Sequence, residues 1–120
     1  MAEIGIEELA EMLYAEREAY AVAIPSPAEA IRLALRAEGP VAIADAGDNI
    51  GAGTPGDGTA LLHEILRQRA PSAFVPLCDP AAARLAAAAG IGAEVTLAVG
   101  GQSDPLYGPP AVITGRVRAL

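Results

Sequence analysis

The 120 residues fit one domain with a buried core, and we expect a single domain over residues 1–120. Fifteen acidic residues against eight basic ones give a net charge of −7, which argues against a nucleic-acid-binding surface. No apolar run approaches the roughly 18 residues that a membrane span needs. The single cysteine, Cys78, excludes an internal disulfide and is compatible with a reducing compartment. The composition therefore predicts a cytoplasmic protein that binds neither nucleic acid nor membranes.

Two helices are predicted in the first third of the chain. Residues 5–21 place apolar side chains at helical spacing, with glutamates on the opposite face. Ser26 is predicted to cap the second helix, with Pro27 at its first position and Glu29 completing a capping box. Gly39 is predicted to end that helix.

Residues 40–66 hold the most informative stretch of the sequence. Residues 41–44 form a short apolar run that predicts a buried strand. A loop rich in glycine and aspartate follows, and then a helix with one apolar stripe. Because ligands of α/β proteins bind where loops leave the carboxyl ends of strands, this loop is the candidate site.

The rest of the chain completes an α/β pattern. A strand is predicted at 73–77, an alanine-rich helix capped by Asp79 at 81–89, and two alternating strands at 94–99 and 112–120. The last two strands are predicted to be antiparallel. The order ααβαβαββ predicts an α/β fold with a small mixed sheet of about four strands flanked by helices. In this sheet the first two strands would be parallel.

Six residues of the central loop are candidates for a substrate cleft. Carboxylates and amides at this position could hold a hard cation or a substrate ammonium group. Glycines allow close approach of the backbone to a ligand. The alternative is local: Thr54 and Asp57 would cap the following helix, and Asp48 and Asn49 would form Asx-turns. The candidates are Asp45, Asp48, Asn49, Gly51, Gly53 and Asp57.

A nucleotide site is the competing hypothesis for the same loop. Residues 51–56 satisfy G-x-G-x-x-G, and Asp79 lies where a ribose-binding acid would be expected. However, the first glycine does not follow the predicted strand directly, and the aspartates would repel a pyrophosphate. Asp79 also has a sufficient role as a helix cap. A nucleotide-binding module and a purely structural or oligomerisation domain remain the alternatives.

The residues that usually bind transition metals are scarce. His63 is the only histidine and falls on the polar side of its helix, which predicts a surface residue. Cys78 is predicted to be a small buried hydrophobic residue. One histidine and one cysteine cannot form a usual zinc site, so we expect no metal in this chain. Residues 100–105 are predicted to form a turn, with a second substrate-facing loop as the alternative.

The central loop resembles the signature "AD..DNPGGGAPGD.T.LL" of the microcystinase C (MlrC-like) metallopeptidase family. Parts of residues 9–30 and 79–101 also fit, so the resemblance covers nearly the whole chain. The sequence departs from the pattern at Ile50, Ala52, Thr54 and Gln102. The matching residues are Ala44-Asp45, Asp48-Asn49, Gly51, Gly53, Pro55-Gly56-Asp57, Thr59 and Leu61-Leu62.

This resemblance is to the start of the family's C-terminal domain. It implies a missing N-terminal catalytic domain that holds zinc, whose bound water attacks a peptide or amide bond of a small peptide-like substrate. Asp45, Asp48, Asn49, Gly51 and Gly53 would then face the cleft between the domains. The isolated chain is expected to be inactive, and homo-oligomerisation is left open. A closed loop whose carboxylates bind only local backbone amides would argue against this assignment.

Overall fold

A computed structural model describes residues 5–119 of the chain. Among these residues lie three short 3-10 helices, Arg17–Tyr20, Ile50–Ala52 and Pro105–Tyr107. No helix in the described range is long and apolar enough to cross a membrane. The helices are α1 (Ile6–Ala15), α2 (Pro27–Ala34), α3 (Ala60–Arg67) and α4 (Pro80–Ala89), and the strands are β1 (Glu94–Val99) and β2 (Ala111–Arg116).

The N-terminal helices largely follow the sequence pattern. The first is shorter than predicted, because α1 ends at Ala15 and a 3-10 turn replaces its last part. The Oγ atom of Ser26 accepts a hydrogen bond from the Glu29 amide at 3.3 Å, which confirms the cap of α2. The Glu29 carboxylate instead binds Arg32 at 2.9 Å, so the reciprocal half of the predicted capping box is not formed.

The predicted four-stranded mixed sheet is wrong. Within residues 5–119 the sheet consists of β1 and β2 alone, paired antiparallel with Glu94 opposite Arg116 and Val99 opposite Ala111. Segments 41–44 and 73–77 pair with no strand. Apolar composition favours a strand only where a neighbouring strand can complete its hydrogen bonds, and residues 5–119 offer these segments no such neighbour. The antiparallel pairing of the last two strands is confirmed.

The two unpaired segments border a large opening in the molecule. Residues of 40–46 and of 72–78, together with α2 and α3, line a cavity of about 1130 Å³, which we call the large cavity. The cavity is lined by both segments, which form no hydrogen bond with each other. It also places the start of the central loop at its edge.

The buried core is small and lies between α4 and the sheet. Ala82 of α4 packs with Val99 and Ala111, and partly buried leucines and Ile113 surround them. The alanine-rich face of α4 lets the helix approach β1 closely. Elsewhere α2 packs against α3. The alternation predicted for β1 is confirmed, since Val95, Leu97 and Val99 are its less exposed residues.

The chain exposes far more surface than a compact protein of its size. Its accessible area is 9229 Å², whereas about 6000 Å² is typical of a monomer of this mass. The radius of gyration is 19.6 Å, against about 14 Å for a compact domain of this length. All side chains of α1 are exposed, including Ile6 at 88%. Much apolar surface therefore stays uncovered.

Candidate functional site

The central loop begins with two side-chain turns. Oδ1 of Asp45 accepts hydrogen bonds from the amides of Gly47 at 3.0 Å and Asp48 at 3.2 Å. Oδ1 of Asn49 accepts from the amide of Gly51 at 3.0 Å and so starts the 3-10 helix Ile50–Ala52. These are Asx-type turns, as the local interpretation predicted for Asn49.

Asp48 does not form the predicted Asx-turn but closes the loop on itself. Its Oδ1 accepts from the Gly56 amide at 2.8 Å and its Oδ2 from the Gly58 amide at 2.5 Å. A Cβ atom on Gly58 would lie 2.8 Å from Oδ2 of Asp48, so this glycine is needed for the contact. Burial favours the neutral carboxyl, but the amide hydrogen bonds from Gly58 and Gly56 together outweigh it. The pKa of Asp48 is therefore below its usual value.

Asp57 joins the central loop to the turn after β1. It is 2% exposed, and its Oδ2 accepts from the amides of Gln102 at 2.8 Å and Ser103 at 2.9 Å. Its main-chain oxygen accepts from the Gly101 amide at 2.7 Å. Burial raises the pKa of Asp57, but the hydrogen bonds from Ser103 and Gln102 lower it by more. The pKa of Asp57 is therefore below its usual value. The prediction that Thr54 and Asp57 cap the next helix is wrong, because α3 starts at Ala60 and its N-cap residue is Thr59.

Asp79 makes a second link to the same turn. Its Oδ1 accepts from the Ala82 amide at 2.9 Å, which confirms the predicted cap of α4. Its Oδ2 accepts from the Gly100 amide at 2.9 Å. The hydrogen bonds from Ala82 and then Gly100 hold the pKa of Asp79 below its usual value. Residues 100–103 therefore form a turn that binds two aspartates, and the sequence alone did not indicate this partnership.

The start of α3 anchors the loop that leads into β2. Thr59 is fully buried, and its Oγ1 lies 2.8 Å from the main-chain oxygen of Pro109, to which it donates. Its amide donates to the Tyr107 oxygen at 2.9 Å. His63 is partly buried, with Nε2 at 2.9 Å from the same Pro109 oxygen. The sequence indicated neither contact, because both partners are main-chain groups far away along the chain.

The six candidate residues separate into three groups. Asp45, Asp48 and Asn49 line the large cavity together, and the first two also border a smaller cavity of about 350 Å³ beside Tyr107. Gly51 and Gly53 lie on an exposed turn outside both cavities. Asp57 is buried beneath the loop. The structure therefore brings together only the first group at an open surface.

The donor atoms of this chain do not fit a zinc ion. Within residues 5–119 no group of three or more His, Cys, Asp or Glu side chains is arranged to hold a metal. The carboxylate oxygens of Asp48 already accept backbone amides, and His63 faces the oxygen of Pro109. Cys78 is exposed, which corrects its predicted burial. It lines the large cavity without a histidine among the other lining residues.

The glycine motif lacks the surroundings of a dinucleotide site. Residues 50–52 form a 3-10 turn, and α3 begins only at Ala60, beyond the last glycine of the motif. The fingerprint requires a strand before the loop and a helix that opens within it. Neither the preceding segment 41–44 nor the loop provides this context.

We expect the loop aspartates to make stability depend on pH. The pKa values of Asp48, Asp57 and Asp79 are lowered on folding, so the stability they contribute is present above about pH 4, the unfolded value. This stability should be lost as the pH falls through their folded values. Urea unfolding at pH 7 and pH 3 measures the effect. The free energy of unfolding of the wild type minus that of Asp48→Asn should be larger at pH 7 than at pH 3. An equal difference at both pH values would contradict it.

Comparison with known proteins places the chain in a family. Residues 43–120 match the family described as MlrC C-terminus. A stretch of 82 residues, 68% of this chain, is 38% identical to microcystinase C from Sphingomonas sp and spans 16% of that protein. The matched region is thus a C-terminal part of a larger protein in the relative. The chain belongs to the MlrC C-terminal family, which confirms the resemblance of its central loop.

Proposed function

We propose that this chain is the C-terminal domain of a zinc-dependent peptide or amide hydrolase, and that it forms one wall of an interdomain substrate cleft. Family membership supports the domain assignment. The name of the relative, microcystinase C, supports hydrolysis. The catalytic zinc and its ligands belong to the part of the protein outside these residues. The isolated chain is not catalytic in this proposal.

One observation carries the role in the cleft: Asp45 and Asn49 both line the large cavity, and each has a polar atom without a hydrogen bond among the described residues. Asp45 uses only Oδ1 for its two hydrogen bonds, and Asn49 uses only Oδ1. Within the described residues this leaves Oδ2 of Asp45 and the Nδ2 amide group of Asn49 for a ligand. An acceptor next to two N–H donors matches a peptide bond, which presents one N–H and one C=O group.

Asp48 and Asp57 have a different role in this proposal. Both oxygens of Asp48 and one oxygen of Asp57 accept backbone amides, so they fix the shape of the loop. They are positioning residues that hold the segment 45–49 in place. Gly51 and Gly53 allow the exposed turn to form beside that segment. A rigid loop presents its ligand groups without a further entropic cost on binding.

The test is a set of variants in the full-length protein, assayed with a panel of short peptides by release of free amino groups. Asp45→Ala and Asn49→Ala should lower kcat/KM by about tenfold each, the value of one lost hydrogen bond to substrate. Their melting temperatures should stay close to wild type, because both side chains lie at the surface of the loop. Asp48→Ala should lower both activity and melting temperature.

Asp104→Ala is the matched control for these variants. Asp104 is an exposed aspartate whose Oδ1 accepts a hydrogen bond from the Leu106 amide at 2.8 Å. It lines neither cavity. Its kinetics should equal those of wild type. Hydrolysis of the panel by the 120-residue chain alone, abolished by a chelator, would contradict the proposed division of labour.

A structural role for the loop is the second candidate. It is favoured by the carboxylate oxygens of Asp48, Asp57 and Asp79 that accept backbone amides. Carboxylates bound in this way were expected to argue against the cleft assignment, and they count in favour of this second candidate. In that case the loop only ties α4 and the turn 100–103 to the centre of the molecule. Unchanged kinetics in Asp45→Ala and Asn49→Ala, with lower stability in Asp48→Ala, would decide for this role.

A further inference from the structure

We infer that the part of the large cavity along segments 41–44 and 73–77 is a docking surface for an extended segment of the same protein that lies outside these 120 residues. The backbone of that segment hydrogen-bonds 41–44 and 73–77, and the edge formed by Asp45 and Asn49 is left for substrate. The inference rests on the proposed function only in that the chain works as part of a longer polypeptide. The inference says how this chain joins the rest of the polypeptide, which the proposed chemistry does not determine.

The backbone of both segments is unpaired. Among the described residues, no main-chain or side-chain group forms a hydrogen bond with the amides and carbonyls of 41–44 and 73–77. Both segments are nevertheless free of helix and of tight turns. Two such segments lining one opening present two rows of donors and acceptors. An added extended segment is the ligand that satisfies such rows.

The side chains around the opening are apolar and exposed. Val41 is 47% exposed, Ile43 37% and Phe74 90%, and all three line the large cavity. Phe74 in particular has almost no contact with the rest of the chain. Side chains of this kind are normally covered in a folded protein, and a contiguous exposed group marks an interaction site.

The properties of the cavity favour a polypeptide over a small molecule. Its volume of about 1130 Å³ is at the upper end for small-molecule sites, which are typically about 300–1000 Å³. A small-molecule site also needs several convergent polar groups, yet most polar atoms at this edge bind the loop itself. A chain segment needs only backbone partners and apolar contacts, and the cavity supplies both.

The size of the uncovered surface favours the rest of the same protein as the source. The accessible area of 9229 Å² exceeds the value typical of a compact monomer by about 3000 Å². Permanent interfaces bury about 2000–5000 Å² or more summed over both partners, which is about 1000–2500 Å² or more on each, whereas transient ones bury less. An excess of about 3000 Å² on one partner is therefore of the size of a permanent interface. The matched region makes up only 16% of the relative, so most of that polypeptide is available to cover such a surface.

Amide hydrogen exchange on the 120-residue chain and on the full-length polypeptide tests the inference. In the full-length protein the amides of 41–44, 73–75 and 77 should exchange about 100-fold more slowly than in the chain alone, because docking pairs them. Pro76 has no amide hydrogen and is not measured. Equal exchange in both would overturn the inference, as would a gene that encodes no further residues. Protection in the chain alone that rises with concentration would assign the cavity to a second copy instead and would also overturn it.

A pair of variants tests the apolar contact. Phe74→Asp should leave the melting temperature of the 120-residue chain unchanged, since this side chain is 90% exposed there. In the full-length protein it should abolish the protection of 41–44. Leu106→Asp is the control, because Leu106 is 91% exposed but lies outside the large cavity. Full protection in the Phe74→Asp protein would overturn the inference.

The outcomes separate this inference from the proposed function. Protected segments in a full-length protein that hydrolyses no peptide would leave the docking surface intact and reject the proposed chemistry. An active full-length protein with unprotected segments would support the proposed chemistry and overturn the docking inference.

Discussion

Asp57→Ala is expected to lower the free energy of unfolding by about 3 kcal/mol. The side chain is 2% exposed, and its Oδ2 is the acceptor for the amides of Gln102 and Ser103. Alanine would leave both amides without their acceptor and would open space under the loop. Unsatisfied buried donors cost more than the net value of a hydrogen bond. Urea unfolding of the 120-residue chain at pH 7 measures the change.

Asp57→Asn separates hydrogen bonding from charge at this position. The amide oxygen of asparagine can accept from the same two donors, so the expected loss is about 1 kcal/mol. Asp104→Ala provides the surface control, since this exposed aspartate accepts one amide at 2.8 Å. A loss at Asp57→Ala no larger than at Asp104→Ala would show that Asp57 does not hold the two loops together.

Gly100→Ala is expected to cost about 3 kcal/mol of stability. Gly100 has a φ of +66°, and an added Cβ would lie 2.6 Å from the main-chain oxygen of Asp57 and 2.7 Å from Cγ2 of Thr59. Neither atom can move easily, because Thr59 is fully buried and the Asp57 oxygen accepts from the Gly101 amide. The substitution therefore combines backbone strain with a clash. Thermal and urea unfolding both report the loss.

Gly115→Ala is the matched control for this substitution. Gly115 lies in β2, and an added Cβ would meet no atom within 4 Å. Alanine there should be neutral or slightly stabilising, since it lowers the entropy of the unfolded chain. Equal losses at the two positions would mean that the close packing around residue 100 does not limit stability.

The candidate site was only partly predictable from the sequence. The loop itself and the turn at Asn49 were predicted correctly, because aspartate, asparagine and glycine after an apolar segment are strong local signals. The role of the candidate residues in a site stays a prediction. The role of Asp57 was predicted wrongly, since its partners, Gln102 and Ser103, are far away in the chain. The partners of Thr59 and His63 are main-chain oxygens, which leave no trace in residue identity.

Local signals also account for the successes in the fold. Ser26 and Asp79 cap their helices, because a side chain can bond an amide three residues away whatever the rest of the chain does. The alternating residues of β1 and β2 predicted a pair that the structure confirms. These features depend on neighbours in sequence or on one short connection.

The sequence by itself determined the starts of α2 and α4, the antiparallel strand pair, the position of the candidate loop and the family of the chain. Tertiary structure alone decided that segments 41–44 and 73–77 stay unpaired, and that Asp57 and Asp79 bind the turn 100–103. The physical reason is the range of the interactions. Caps and periodicity act within a few residues, whereas strand pairing and buried carboxylates need partners whose position depends on how the whole chain packs.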